Sequence, residues 1–90
     1  MNELREQFFG LSNELGLTAI DRWAEAREFR GKAYTTYYIR FLYNEKEYVM
    51  YMDDYRPTFA LMNSDRTFNY IYCCRFEFFE RALREKCNHQ

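Results

Sequence analysis

Two runs of aromatic and β-branched residues, with a short polar break between them, dominate the pattern of the chain. The first run is AYTTYYIRFLY, residues 33–43, and the second is EYVMYMDDY, residues 47–55. Such runs on either side of a polar break, here residues 44–46, are typical of a β-hairpin. The pattern therefore predicts an antiparallel hairpin in the middle of the chain, with the remaining segments packed around it.

Neither strand of this hairpin alternates apolar with polar residues. Positions of one parity in the first strand hold Tyr37 and Tyr43, and positions of the other parity hold Tyr34 and Tyr38. A sheet with one face in water normally alternates, so we expect both faces to be covered by helices, loops or a partner. Arg40 interrupts the apolar run, and we expect its guanidinium to stack on a neighbouring tyrosine.

Apolar residues at helical spacing mark both ends of the chain. They are Leu4, Phe8, Leu11 and Leu15 in the first segment, and Phe76, Phe79, Leu83 and Cys87 in the second. Each set falls on one face of an α-helix. With Asn2 as N-cap and Gly16 as C-cap, the pattern predicts helices over residues 2–15 and 75–87.

Residues 18–30, TAIDRWAEAREFR, allow two interpretations. Their Ala, Glu and Arg content favours a helix, but Arg22, Arg27 and Arg30 interrupt any apolar stripe. The alternative is a strand from about residue 23 to 29 that turns at residues 30–32. We prefer the strand, because a two-stranded hairpin alone is only marginally stable.

Further strands are expected at residues 58–62 and 67–73, joined by a turn at residues 63–65. Together the elements predict a single α+β domain over residues 1–90. Its fold class is an antiparallel, aromatic-rich β-sheet, a meander, with an N-terminal and a C-terminal helix. Ninety residues are enough for one modest core.

Composition restricts the setting in which such a domain works. No stretch is long and apolar enough to span a bilayer, and the chain does not begin with a signal-peptide pattern. Three cysteines without export features indicate a reducing compartment. We therefore expect a soluble, cytoplasmic protein that does not associate with a membrane.

Charge restricts the partners. The chain has 13 basic and 14 acidic residues, spread evenly, for a net charge of −1. No basic block is present to neutralise a run of phosphates, which argues against tight non-specific binding of duplex nucleic acid.

Two groups of residues could in principle carry chemistry. Residues 51–54 spell YMDD, which resembles the catalytic turn of reverse transcriptases, where paired aspartates hold metal ions. A polymerase needs a further aspartate on a neighbouring strand and a much longer chain, so Asp53 and Asp54 are expected only to end a strand and enter a turn. Cys73, Cys74 and Cys87 lack the paired spacing of zinc ligands. We predict no metal site, no cofactor and no enzymatic activity.

The remaining interpretation is an interaction module. The chain has more Tyr, Phe, Met and Arg than one small core can absorb, and these residues are enriched at protein interfaces. We expect it to bind another macromolecule, with a protein as the first choice, and to inhibit or regulate it, in the style of accessory proteins of phages and mobile elements. Self-association as a homodimer is one form of such binding. The alternative is a single-stranded nucleic-acid-binding domain that uses sheet aromatics and Arg.

Seven residues of the hairpin are the candidates for the partner surface, in two sets of opposite parity. They are Tyr34, Tyr38, Tyr48 and Arg40 in one set, and Tyr37, Tyr43 and Tyr51 in the other. Only one set is expected to bind, because the other must hold the helices. If both helices pack on one face, the opposite face keeps aromatic residues in contact with water, which is uncommon on a monomer unless that face meets something.

Overall fold

Five antiparallel strands follow one another along the chain, with one helix before them and one after. The computed structural model describes residues 3–88, except for the side chain of Asn88. Its elements are α1 (Glu3–Glu14), β1 (Thr18–Phe29), β2 (Lys32–Tyr43), β3 (Lys46–Asp53), β4 (Thr58–Asn63), β5 (Asn69–Cys73) and α2 (Phe76–Asn88). The strands form a sheet in the order β1-β2-β3-β4-β5. The predicted α+β meander is confirmed, and Asn2, the expected N-cap, lies outside the described residues.

The ambiguous segment forms a strand. β1 pairs with β2 from Thr18 opposite Leu42 to Phe29 opposite Lys32, so it begins earlier than expected and the helical alternative is wrong. The turn between them is closed by Arg30 and Gly31, with φ of 52° and 77°. Positive φ at both central residues is what a type I′ hairpin turn requires, and glycine adopts it without steric cost.

Both helices pack on the same face of the sheet. The rings of Phe8 in α1 and Phe79 in α2 lie 6.3 Å apart between centroids, and they lie 6.4 and 5.7 Å from the ring of Phe59 in β4. A salt bridge of 2.6 Å between Arg84 and Glu14 joins the two helices at their surface. We call this side of the sheet the helix face and the opposite side the helix-free face.

Alternate residues of the three central strands fill the core beneath the helices. They are Ile39 and Phe41 from β2, Met50 and Met52 from β3, and Phe59 and Leu61 from β4. All six are buried almost completely, and burial of each such side chain stabilises the fold by roughly 1.5–3 kcal/mol. Because α1 and α2 cover one face of the sheet, the side chains of the opposite face are the candidates for a binding surface.

Candidate binding surface on the helix-free face

A two-residue turn decides which side chains of the central hairpin share a face. Asn44 and Glu45 form it, with φ of 51° and 66°, and Tyr43 pairs with Lys46. The polar break of residues 44–46 suggests a longer loop, in which Tyr43 would face Glu47. Antiparallel partners share a face, so a difference of one residue in the loop moves every side chain of the following strand to the other side.

The predicted parity sets are therefore wrong for the two tyrosines of β3. Tyr51 lies opposite Tyr38 and shares the helix-free face with it, whereas Tyr48 lies opposite Phe41 on the helix face. The physical reason is Lys46, whose polarity suggests a loop although its backbone already belongs to β3.

The tyrosines of the helix face attach the helices to the sheet. Tyr37 accepts a hydrogen bond of 3.2 Å from Arg5 of α1, and the hydroxyl of Tyr43 donates to the backbone carbonyl of Cys87 in α2. Tyr48 is only 9% exposed and stacks on its cross-strand neighbour. These three candidates of the sequence analysis thus take part in packing on the helix face.

A second, smaller apolar cluster lies on the helix-free face. Its centre is Tyr38, which is 4% exposed and stacks on Trp23 with ring centroids 4.8 Å apart and planes 7° from parallel. Val49 and Met62 pack against Tyr38, and the ring of Tyr51 lies 5.9 Å away. Tyr38 was expected to contact a partner, but it is buried and packs mainly within this cluster.

Arg40 holds the connection between β4 and β5 against the sheet. Its guanidinium donates to the carbonyl of Ser64 at 3.1 Å and to the carboxylate of Glu47 at 3.3 Å. It lies 5.8 Å from the ring of Trp23. The expected stacking partner was a tyrosine, and the ring beneath Arg40 is the tryptophan of β1.

Next to this cluster the helix-free face is hollowed into a cup of about 560 Å³. Three tyrosines and four charged residues line it: Tyr34, Tyr38, Tyr51, Arg27, Arg66, Asp53 and Asp65. They come from β1, β2, β3 and the connection between β4 and β5, so the cup exists only in the folded sheet. We call it the tyrosine–arginine cup.

Glu25 fixes the two arginines of the cup. Its carboxylate accepts a 3.1 Å hydrogen bond from the indole of Trp23, lies 2.5 Å from the guanidinium of Arg27 and lies 3.6 Å from that of Arg66. The indole hydrogen bond and the two positive charges lower the pKa of Glu25 against the opposing effect of burial. Arg27 also donates to the hydroxyl of Tyr38 at 2.5 Å, which raises the pKa of Arg27. Contacts within the chain thus hold both guanidinium groups in place.

Tyr51 packs against the small apolar cluster and also lines the cup. Burial, followed by the neighbouring phenol and carboxylate groups, raises the pKa of Tyr51 to about 12. The phenol therefore stays protonated at neutral pH and is available as a hydrogen-bond donor.

The paired aspartates of the YMDD string accept hydrogen bonds at the end of the hairpin. Asp53 accepts a 2.6 Å hydrogen bond from the hydroxyl of Thr36, and Asp54 accepts one of 2.9 Å from the backbone N–H of Thr35. Within residues 3–88 no three His, Cys, Asp or Glu side chains come together in a way that could hold a metal ion. The aspartates act as acceptors that stabilise the entry to the turn.

None of the three cysteines forms a disulfide in the part of the chain that the structure describes. Cys73 and Cys87 are half-buried and pack against the helix-face core, whereas Cys74 is exposed. His89, which the sequence places near them, lies outside the described residues.

Sequence reasoning missed five residues of the helix-free face: Trp23, Glu25, Arg27, Arg66 and Tyr72. The first three occupy alternate positions of β1, which places them on one face once residues 18–30 are taken as a strand. Tyr72 lies opposite Ala60, which in turn lies opposite Tyr51. The spacing W-x-E-x-R was the available signal for β1, while nothing local indicates that Arg66 folds back over the sheet.

No helix within residues 3–88 has the length and apolar character needed to cross a membrane. Comparison of the chain with protein-family models, curated proteins and solved structures finds no match. The geometry of this surface is therefore the basis for inferring its function.

Proposed function

We propose that the chain is a small protein-interaction module that binds another protein through its helix-free face and thereby inhibits or regulates it. The observation that carries the proposal is the tyrosine–arginine cup, which combines a fixed pair of guanidinium groups with tyrosines on the face that neither α1 nor α2 covers. On the grounds of cysteine use we place this interaction in the cytoplasm.

The residue types at this surface are those that contribute most to protein recognition. Tyr and Arg are enriched among the few interface residues that supply most of the binding energy. Arg27 and Arg66 keep about two fifths of their side-chain surface exposed, at 42% and 41%. Tyr72, next to the cup, is 59% exposed. A partner can therefore bury large amphipathic side chains here without displacing the core.

Contacts within the chain also hold the side chains of the cup in place, which lowers the entropy cost of binding. Tyr38, which lines the cup, is stacked on Trp23, and the guanidinium of Arg66 lies 5.2 Å from the centre of the Tyr38 ring. Glu25 holds the same guanidinium from another side. Since these contacts exist in the isolated chain, the partner does not have to order the side chains.

Charge favours a protein over a nucleic acid at this site. The positive charges of Arg27 and Arg66 are offset by Glu25, and Asp53 and Asp65 also line the cup. A run of phosphates gains little from such a surface, because affinity for nucleic acid comes mainly from neutralising phosphates with unpaired cations.

A different part of the molecule favours the second candidate function, binding of single-stranded nucleic acid. The ammonium groups of Lys46 and Lys86 lie 5.4 and 4.5 Å from the centre of the Tyr70 ring, and Phe68, 59% exposed, packs against the same ring. Lysines beside exposed aromatic rings can hold a phosphate while a base stacks. If this patch is the functional one, Lys46→Gln with Lys86→Gln should abolish binding of a labelled single-stranded oligonucleotide, measured by fluorescence anisotropy.

The experiment that tests the main proposal is affinity capture from cells in which the protein occurs naturally. The test variant combines Arg66→Gly with Tyr72→Ala. Arg66 has a φ of 65°, so glycine removes its side chain without straining the turn. We expect the wild type to capture a protein that the variant captures at least about tenfold less, with and without nuclease treatment.

The matched control combines Phe78→Ala with Arg81→Ala. These residues also form an exposed aromatic–arginine pair, 5.7 Å apart, but on α2. The control should capture the same protein as the wild type, and circular dichroism should show both variants folded. Equal capture by all three proteins, or capture that nuclease abolishes, would contradict the proposal.

A further inference from the structure

The outer edge of β1 presents backbone groups with no neighbouring strand among the described residues. β1 stands at the end of the sheet and is 12 residues long. Its two-residue turn makes Phe29 and Lys32 a hydrogen-bonded pair. Hydrogen-bonded pairs then recur at every second residue, which directs the N–H and C=O groups of four residues away from β2. These are Arg22, Ala24, Ala26 and Glu28.

A contact of Arg22 agrees with this direction. Its N–H donates to the carboxylate of the adjacent Asp21 at 2.9 Å, which places that N–H away from β2. The single irregularity of β1 is a bulge between Ala19 and Asp21. Natural sheets protect edge strands with bulges, prolines, short length or charged side chains. Residues 22–28 are regular and contain no proline, and their four charged side chains include both signs, two Arg and two Glu.

The side chains of the four outward-directed positions are complementary in charge and matched in size about Glu25. They read Arg, Ala, Ala, Glu in chain order. If a second β1 pairs antiparallel with the first, centred on Glu25, each Arg22 faces the Glu28 of the second copy. Each Ala24 then faces an Ala26. All four outward-directed residues find a partner, and opposite charges across antiparallel strands are stabilising.

The side chains of β1 on the helix-free face are compatible with the same register. Trp23 faces the Arg27 of the second copy, a pairing of an aromatic ring with a cation. The two Glu25 carboxylates meet at the axis, where each is already neutralised by Arg27 and Arg66 of its own chain. A register centred on Ala24 would instead place Glu28 opposite Ile20 in the bulge and leave Arg22 opposite an alanine.

We propose that β1 of this chain pairs with β1 of a second copy, antiparallel and centred on Glu25, to form a two-fold dimer with a continuous ten-stranded sheet. The two-fold axis runs perpendicular to the sheet, so both helix faces lie on one side. Both tyrosine–arginine cups lie on the other side, open to partners. This interface uses the edge of the sheet, and Arg27 of each cup lies beside it, opposite Trp23 of the second copy.

The test is a charge exchange followed by sedimentation equilibrium over a concentration series. The wild type should approach twice the monomer mass of 11.2 kDa. Arg22→Glu alone and Glu28→Arg alone should each weaken the dimer about tenfold, because each places like charges opposite one another twice. The double variant should return to within about threefold of the wild type.

The rescue distinguishes a contact between copies from a structural effect. Five residues of strand lie between Arg22 and Glu28, and the six steps from one to the other span about 20 Å, so these two side chains cannot meet within one chain. Arg22 lies 5.7 Å from the ring of Phe9, and loss of that packing would not be restored by a change at Glu28. Ala26→Pro, which removes an outward-directed N–H, should also give a monomer.

Three results would overturn the proposal. The first is a wild type that remains a monomer at all concentrations. The second is a dimer that the single charge exchanges and Ala26→Pro leave unchanged, as expected if the copies meet through the cups. The third is a failure of the double variant to restore a dimer that both single variants weaken.

Discussion

Phe59 and Tyr72 provide the sharpest test of the difference between the two faces of the sheet. They lie on neighbouring strands, where Phe59 pairs with Cys73 and Tyr72 pairs with Ala60. Phe59 points into the core between the helices, and Tyr72 points to the helix-free face. We expect Phe59→Ala to destabilise the fold strongly and Tyr72→Ala to destabilise it only slightly.

The magnitudes follow from burial. Phe59 is fully buried among the rings of Phe8, Phe76 and Phe79, and replacing such a core phenylalanine by alanine costs about 3–5 kcal/mol. Tyr72 is 59% exposed. An aromatic side chain buries about 200 Å² when enclosed, so Tyr72 buries roughly 80 Å², worth at most about 2 kcal/mol.

The assay is urea unfolding followed by both far-ultraviolet circular dichroism and tryptophan fluorescence. Trp23, the only tryptophan, lies on the helix-free face, so coincident transitions establish that the two faces unfold together. In thermal unfolding of the same variants, one kcal/mol corresponds to about 4–8 °C of Tm in a domain of this size, so their Tm values should also differ by several degrees. Phe78→Ala, at a half-exposed position of α2, is the control for loss of an exposed ring. If Tyr72→Ala costs as much as Phe59→Ala, the helix-free face is covered and the argument for a binding surface fails.

Four further predictions concern single residues. Gly31→Ala should destabilise the protein by about 1–2 kcal/mol in urea unfolding, because φ at Gly31 is 77° and a side chain there is strained. Gly10→Ala should instead stabilise it by about 1 kcal/mol, because Gly10 lies inside α1 with open space for a methyl group. The pKa of Tyr51 is raised to about 12 in the folded chain and is near 10 when unfolded, so its contribution to stability is complete below pH 10 and is lost as pH rises towards 12. Tyr51→Phe should therefore flatten the fall of unfolding free energy between pH 10 and 12, and an unchanged slope would refute this cause. Cys74 should react with a thiol reagent before Cys87, because Cys74 is exposed and burial raises the pKa of Cys87. The opposite order in a stopped-flow trace would contradict these exposures.

The helices and the existence of the sheet could be predicted because each depends on a local pattern. Phe8 and Leu11 repeat at the spacing of a helix, as do Phe79 and Leu83, and all four are buried in the fold. The aromatic and β-branched runs likewise become β2 and β3. In these segments periodicity and tertiary packing require the same structure.

The faces of β3 could not be predicted because they depend on the length of one turn. Asn44, Glu45 and Lys46 are all polar, and polarity alone does not show whether two or three of them form the loop. The positive φ of Asn44 and Glu45 closes the tight turn, and Lys46 then begins the strand.

The cup was hidden for a different reason. Arg66 reaches Tyr38 and Glu25 only because the connection after β4 folds back over the sheet. Arg27 and Glu25 belong to the segment whose composition equally suits a helix. A site assembled from four parts of the chain has no local signature, so it becomes visible only when the register of the whole meander is known.

The order of elements has a consequence for how the protein is made. Each strand pairs with the strand just synthesised before it, so the sheet can grow while the chain leaves the ribosome. Its helix face cannot be closed at that stage, because Phe79 and Leu83 belong to α2, which follows all five strands. Until α2 emerges, the apolar side of the growing sheet stays exposed to chaperones and to other nascent chains. The interval between the synthesis of β3 and that of α2 is therefore the period in which this chain is most prone to aggregate.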